Sequence, residues 1–192
     1  VEPDQVIEHL SDQVAVLLLT QVHYKTGQIR DMKEITRLAH EAGVLVVWDL
    51  SHSTGSIPVN VNDCEVDFAV GCGYKFLNGG PGAPAYLFVA ERHQNSGWPI
   101  LSGWLGHRDP FGFSDQYSPA ADINRFQCGT PSVIAIAILE CGVDLFTSTD
   151  MVALRDKAIA LSSVFIGLMD ARCMQFGIKL VSSRNAADRG GH

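Results

Sequence analysis

Apolar residues follow two rhythms along this chain. Val14-Ala15-Val16-Leu17-Leu18-Leu19 and Val44-Leu45-Val46-Val47-Trp48 are continuous runs of strand length, the pattern of parallel strands covered on both faces. Between them Met32, Ile35, Leu38, Ala39 and Ala42 recur at helical spacing, with Asp31 as the expected N-cap and Gly43 as the stop. The three segments predict a strand-helix-strand unit of the parallel type. Asp67 to Cys72 and Ala85 to Val89 predict two further strands, so the fold class is α/β with a mostly parallel sheet.

The remaining pattern is less regular. Glu2 to Leu10 reads as a short helix, and Gly55 to Asn62 as a turn with a short extended or helical piece. Trp98 to Pro119 is rich in Gly, Pro and aromatics and has little periodicity, which predicts a long loop region. Thr130-Pro131 opens a helix whose apolar positions run from Val133 to Phe146, with Pro131 expected in the first turn. A second helix is expected over about Met151 to Gln175, followed by a strand at Ile178 to Val181. The second helix is long enough to join two domains, so the expected division is residues 1–148 and residues 149–192, the latter a connecting helix and the start of a different region.

Composition narrows the function classes. With 192 residues, 46% hydrophobic, the chain has material for a sizeable core. A net charge of −7, with Lys25, Arg30, Lys33 and Arg37 interleaved with acids, argues against a nucleic-acid partner. No apolar run approaches the roughly 20 residues of a membrane span. The five cysteines form no CxxC pair, and the expectation is buried, reduced thiols in a cytoplasmic protein. Both ends look cut, so a fragment of a longer polypeptide is expected.

Candidate chemistry lies at the ends of successive strands. Asp49 closes one buried run, where an ionised carboxylate needs a cation or strong donors. Lys75 follows the next strand, between Tyr74 and Phe76, ahead of Gly79-Gly80-Pro81-Gly82. Such strand ends carry ligands in α/β folds. Asp49 can instead cap its own turn through the Ser51 or Ser53 amides, and Lys75 can be a solvated surface residue. The functional reading joins them with His52: a carboxylate for a protonated pyridine nitrogen, and an amine nucleophile favoured in its neutral form by partial burial. Tyr74 adds a phenol able to move a proton. The glycine loop matches neither GxGxxG nor GxxxxGK[ST]. No histidine pair has HxxxH or HExxH spacing, so no metal is expected, and His107 reads as a loop histidine.

The strings WDLSHSTGSIPV, DFAVGCGYKFLNGGPGAPAYLFV, LSGWLGH and RFQCGTPSVIAIAILECGVDLF resemble the kynureninase family. Its members are pyridoxal phosphate enzymes of fold type I, the aspartate aminotransferase superfamily. Tyr74 is a specific mark, because related cysteine desulfurases and class V aminotransferases usually have histidine before the lysine. The resemblance implies that Lys75 holds pyridoxal 5′-phosphate covalently and Asp49 meets its ring nitrogen. It also implies that His52, Tyr74 and Thr20 contact the cofactor, with Tyr74 a proton-transfer residue. Trp104 and Thr130 match positions that reach the neighbouring subunit's site, implying a homodimer. The implied activity is hydrolysis of L-kynurenine, or its 3-hydroxy form, to anthranilate, or 3-hydroxyanthranilate, and L-alanine, in tryptophan catabolism and NAD biosynthesis. The family's phosphate grip would precede Val1 and its substrate-carboxylate arginine would follow His192, so the chain alone is expected to be inactive. Other readings are a class V aminotransferase or desulfurase, and a non-catalytic α/β scaffold.

Overall fold

The computed structural model describes residues 3–192, and the expected helix start at Glu2 lies outside the described residues. In chain order the elements are α1 (Pro3–Ile7), β1 (Val16–Thr20), α2 (Met32–Glu41), β2 (Leu45–Asp49), β3 (Phe68–Cys72) and β4 (Ala85–Val89). α3 (Glu91–Gln94), α4 (Val133–Thr147) and α5 (Met151–Arg172) follow. The sheet order is β1-β2-β3-β4, with β1, β2 and β3 parallel and β4 antiparallel to β3. The mostly parallel α/β sheet is therefore present, with its four strands within a residue or two of the expected spans.

α2 starts where Asp31 accepts the Glu34 amide at 2.9 Å, and it stops before Gly43, whose φ of 73° suits a residue without Cβ. Its inner face buries Met32, Ile35 and Ala39 against Val46, Trp48 and Ala69, each large apolar side chain worth about 1.5–3 kcal/mol. The Trp48 indole N–H donates to Thr36 Oγ1 at 2.9 Å, so the largest core side chain leaves no donor unmet.

At the amino end of the sheet, Asp67 is buried yet fully engaged. Its carboxylate accepts the Val46 amide (2.8 Å) and Arg92 (2.6 Å), and meets His40 Nε2 (2.8 Å) and His93 Nε2 (2.7 Å). Burial alone pushes its pKa up, but these hydrogen bonds outweigh burial and hold it well below the usual carboxylate range.

Several expectations are corrected. The sheet is covered on one face only: Val16, Leu18, Leu45, Val70 and Leu87 are all at least 36% exposed, because no element among the described residues packs on that side. Pro131 lies before the helix, not in its first turn, since Ser132 is extended (ψ 98°) and serves as N-cap. α5 gives way at Cys173 to a short 3-10 turn, Met174–Phe176, closed by Gly177 at φ 75°. Ile178 to Val181 is not a strand: among the described residues no strand pairs with it, and Ile178 and Val181 are exposed. None of the five cysteines is buried, Cys128 lying in an exposed loop and Cys141 on a largely uncovered helix.

Candidate active site

The carboxyl edge of the parallel sheet gathers most of the expected residues. Thr20 ends β1 and Asp49 ends β2, and they are register partners. Side chains alternate along a strand, so partners in register leave on the same face. Asp49 Oδ1 accepts the Ser51 amide at 2.8 Å. The turn-capping role is thus real, and Oδ2 has no hydrogen bond among the described residues. Capping and ligand binding are compatible, because a carboxylate has two oxygens.

The turn after Asp49 is wound tightly, with the Ser53 and Thr54 amides both donating to the Leu50 carbonyl at 2.9 and 3.1 Å. Gly55, at φ 85°, brings this turn onto the lysine loop: a Cβ there would lie 2.7 Å from the Phe76 carbonyl oxygen. The fixed approach holds His52 beside Lys75. Burial first, then the positive charge of Lys75 and of His192, lowers the His52 pKa, with Asp49 opposing. The His52 and His192 rings lie 4.9 Å apart at 40°.

Lys75 itself stands three residues past β3. The Gly79 amide donates to the Gly73 carbonyl at 2.9 Å and the Asn78 amide to the Lys75 carbonyl at 3.0 Å, closing the loop on itself. Asn78, Gly80 and Gly82 have φ of 61°, 70° and 88°, which is why the stretch is glycine-rich. α4 supports it from beneath, where Gly142 lets the helix touch the loop: a Cβ would lie 2.2 Å from the Leu77 carbonyl oxygen. Lys75 Nζ sits over the exposed Tyr74 ring, 5.5 Å from its centroid.

Tyr86 was not among the sequence candidates. Its ring fills the space above Gly71, the directly paired residue on β3, and its hydroxyl lies 2.6 Å from Thr54 Oγ1. It thereby braces the turn that carries His52. A tyrosine alternating in a strand opposite a glycine was the available signal.

Trp104 and Thr130 are not brought to this site within the chain. Both are exposed, and among the described residues neither has a hydrogen bond or ring contact with Lys75, Asp49 or His52. Their two segments do run together: Cys128 Sγ lies 3.2 Å from the Leu101 carbonyl oxygen, and Trp104 packs edge-on against Phe111 at 5.8 Å. Arg125 pins the region by donating to the Gln94 and Gly97 carbonyls at 2.8 and 2.6 Å. His107 is a loop histidine, with Nδ1 accepting the Asp109 amide at 2.9 Å.

A strand-end carboxylate with a lysine on the following glycine-rich loop is a familiar arrangement, and the profile of the family described as Aminotransferase class-V matches residues 1–186. The chain belongs to the class-V aminotransferase family. Within that family a kynureninase from Deinococcus radiodurans is 47% identical over 187 residues, covering 97% of this chain and 46% of the relative. The chain spans about half the length of the curated relatives it matches. Among solved structures, the apo cysteine desulfurase from Thermococcus onnurineus superposes with a TM-score of 0.78 at 22% identity, over 100% of this chain and 46% of its own. A further match is a variant of the cystine C-S lyase C-DES with glycine covalently linked to its PLP cofactor. It has a TM-score of 0.70 at 20% identity, covering 85% of this chain and 43% of its own. These two likenesses carry the fold, a mostly parallel α/β sheet with its helices arranged as in those two proteins.

Proposed function

We propose that this chain is the lysine-bearing part of a kynureninase, a pyridoxal phosphate enzyme that cleaves L-kynurenine or its 3-hydroxy form, giving anthranilate or 3-hydroxyanthranilate together with L-alanine. The observation that carries the reading is the joint setting of Asp49, His52 and Lys75 at one sheet edge, in a chain 47% identical to a protein named kynureninase. The residues fit the cofactor. Among the described residues Asp49 Oδ2 has no hydrogen bond and suits a protonated ring nitrogen, His52 offers a flat ring at the same sheet edge, and Thr20 offers a hydroxyl on the same face as Asp49.

When bound, pyridoxal phosphate supplies an electron sink for the pair left on carbon as a bond to it breaks. The chain's own residues supply the rest. Lys75 would provide the amine that holds the cofactor and, as a free amine, a base placed to take the α-proton. Asp49 keeps the ring nitrogen charged, and Tyr74, whose phenol flanks the lysine, moves the second proton that a hydrolytic carbon-carbon cleavage requires. His52, whose pKa burial and Lys75 lower, would contact the ring with less tendency to add a competing positive charge.

Trp104 and Thr130 complete the neighbouring subunit's site in a homodimer, which accounts for their exposure in the single chain. The phosphate grip and the substrate-carboxylate arginine belong to the half of the relatives' length that this chain does not span, so residues 1–192 alone are inactive. The boundary near residues 148 and 149 separates the large domain from the small one.

A product assay tests the reading against the desulfurase alternative. The full-length protein loaded with cofactor should release anthranilate and alanine from L-kynurenine and little sulfide from cysteine. Sulfide from cysteine with no anthranilate would reverse the assignment.

A further inference from the structure

Arg30 stands outside the residues so far given a role, yet its side chain is aimed at one of them. The chain leaves β1 at Thr20, runs through a hairpin-like loop and returns. Val22 bridges Ile29, the His23 amide donates to the Gln28 carbonyl at 2.9 Å, and the Arg30 amide donates to the Gln21 carbonyl at 2.8 Å. The return delivers the Arg30 guanidinium to the strand end. One nitrogen, Nη1, donates to both the Thr20 carbonyl oxygen (2.8 Å) and Thr20 Oγ1 (3.0 Å).

The second of these bonds fixes what the hydroxyl can do. A threonine hydroxyl has one hydrogen and two lone pairs. With a lone pair occupied by a charged donor, the O–H hydrogen must point away from Arg30, and the charge-assisted bond polarises it. Thr20 lies beside Asp49, its register partner at the carboxyl edge of the sheet.

We propose that Arg30 is a positioning residue: it converts Thr20 from an ambivalent hydroxyl into a committed donor toward an anionic oxygen on the pyridoxal ring. This rests on the cofactor reading above. The carbonyl bond alone would make Arg30 a staple of the β1 end with no bearing on the ligand, and the two roles separate experimentally. In Thr20→Val the carbonyl remains while the hydroxyl is lost, so a staple would still matter and a positioning residue would not.

The test is a double-mutant cycle in the full-length protein, reading pyridoxal phosphate affinity by titration and the pH midpoint of its visible absorbance. Arg30→Met should weaken affinity about tenfold and move the midpoint, as expected for loss of a charge-assisted hydrogen bond, while Arg30→Lys should stay within about threefold. In the Thr20→Val background, Arg30→Met should change affinity by less than about twofold. An equal loss in both backgrounds, or no loss in either, overturns the proposal while leaving the cofactor reading intact. A parent protein that takes up no pyridoxal phosphate overturns both.

Discussion

Thr20 and Asp49 sit side by side in register at the carboxyl ends of β1 and β2, and the turn that follows Asp49 is clamped through Gly55 onto the loop that carries Lys75. Three groups distant in sequence are thus held by backbone geometry, not by contacts among their own side chains. That is the property a binding site needs if its side chains are to remain available to a ligand.

The electrostatic coupling across this clamp is measurable. His52 should titrate below the ordinary histidine value of about 6.5 when followed by its ring proton resonances. Burial is the larger cause and Lys75 the next. Lys75→Met should therefore raise the midpoint part of the way back, with burial holding it under the ordinary value. An unchanged midpoint would mean that the two groups are farther apart than the structure has them.

At the opposite end of the sheet, Asp67 governs acid stability. Its pKa is depressed in the folded state, so the folded form binds fewer protons than the unfolded chain over that range. Its contribution is present above the unfolded carboxylate value of about 4 and is lost as pH falls through the folded value. Asp67→Ala strands Arg92, His40 and His93 and removes an acceptor from the Val46 amide, and should cost about 3–5 kcal/mol at neutral pH. Urea unfolding at pH 7 and pH 3 checks the sign: the gap between parent and variant should narrow at the lower pH. A gap that widens on acidification would refute the linkage.

The proposed homodimer makes a specific claim about Trp104 and Thr130, which are both exposed in the single chain. An inactive full-length Lys75→Ala protein mixed with an inactive Trp104→Ala/Thr130→Ala protein should regain part of the activity, because one site of each hybrid is intact. Hybrid dimers detected by mass with no return of activity would put both residues at work within their own chain.

The sequence made β1 to β4 and α2 legible because continuous apolar runs, helical spacing and an Asp cap all agree locally. The placement of Asp49 at a strand end and of Lys75 on a glycine-rich loop was legible too, since both are local signals. What it could not supply depends on partners far along the chain. The Asp67 cluster joins residues 40, 46, 67, 92 and 93, and Arg30 reaches Thr20 only because the intervening loop folds back. Ile178 to Val181 is apolar enough for a strand but has none to pair with among the described residues. The runs in β1 and β2 suit cover on both faces, yet only the face under α2 has it. His192 lies against His52, 140 residues away in the sequence, which no spacing rule anticipates.

The central claim is that Lys75 holds the cofactor. The most direct measurement is borohydride treatment of the cofactor-loaded full-length protein followed by peptide mass mapping. The account predicts a pyridoxyl group on Lys75 alone, absent from Lys75→Ala, which should also lose turnover while keeping its melting temperature. A pyridoxyl group on Lys25, Lys33 or another lysine, with Lys75 unmodified, would contradict it.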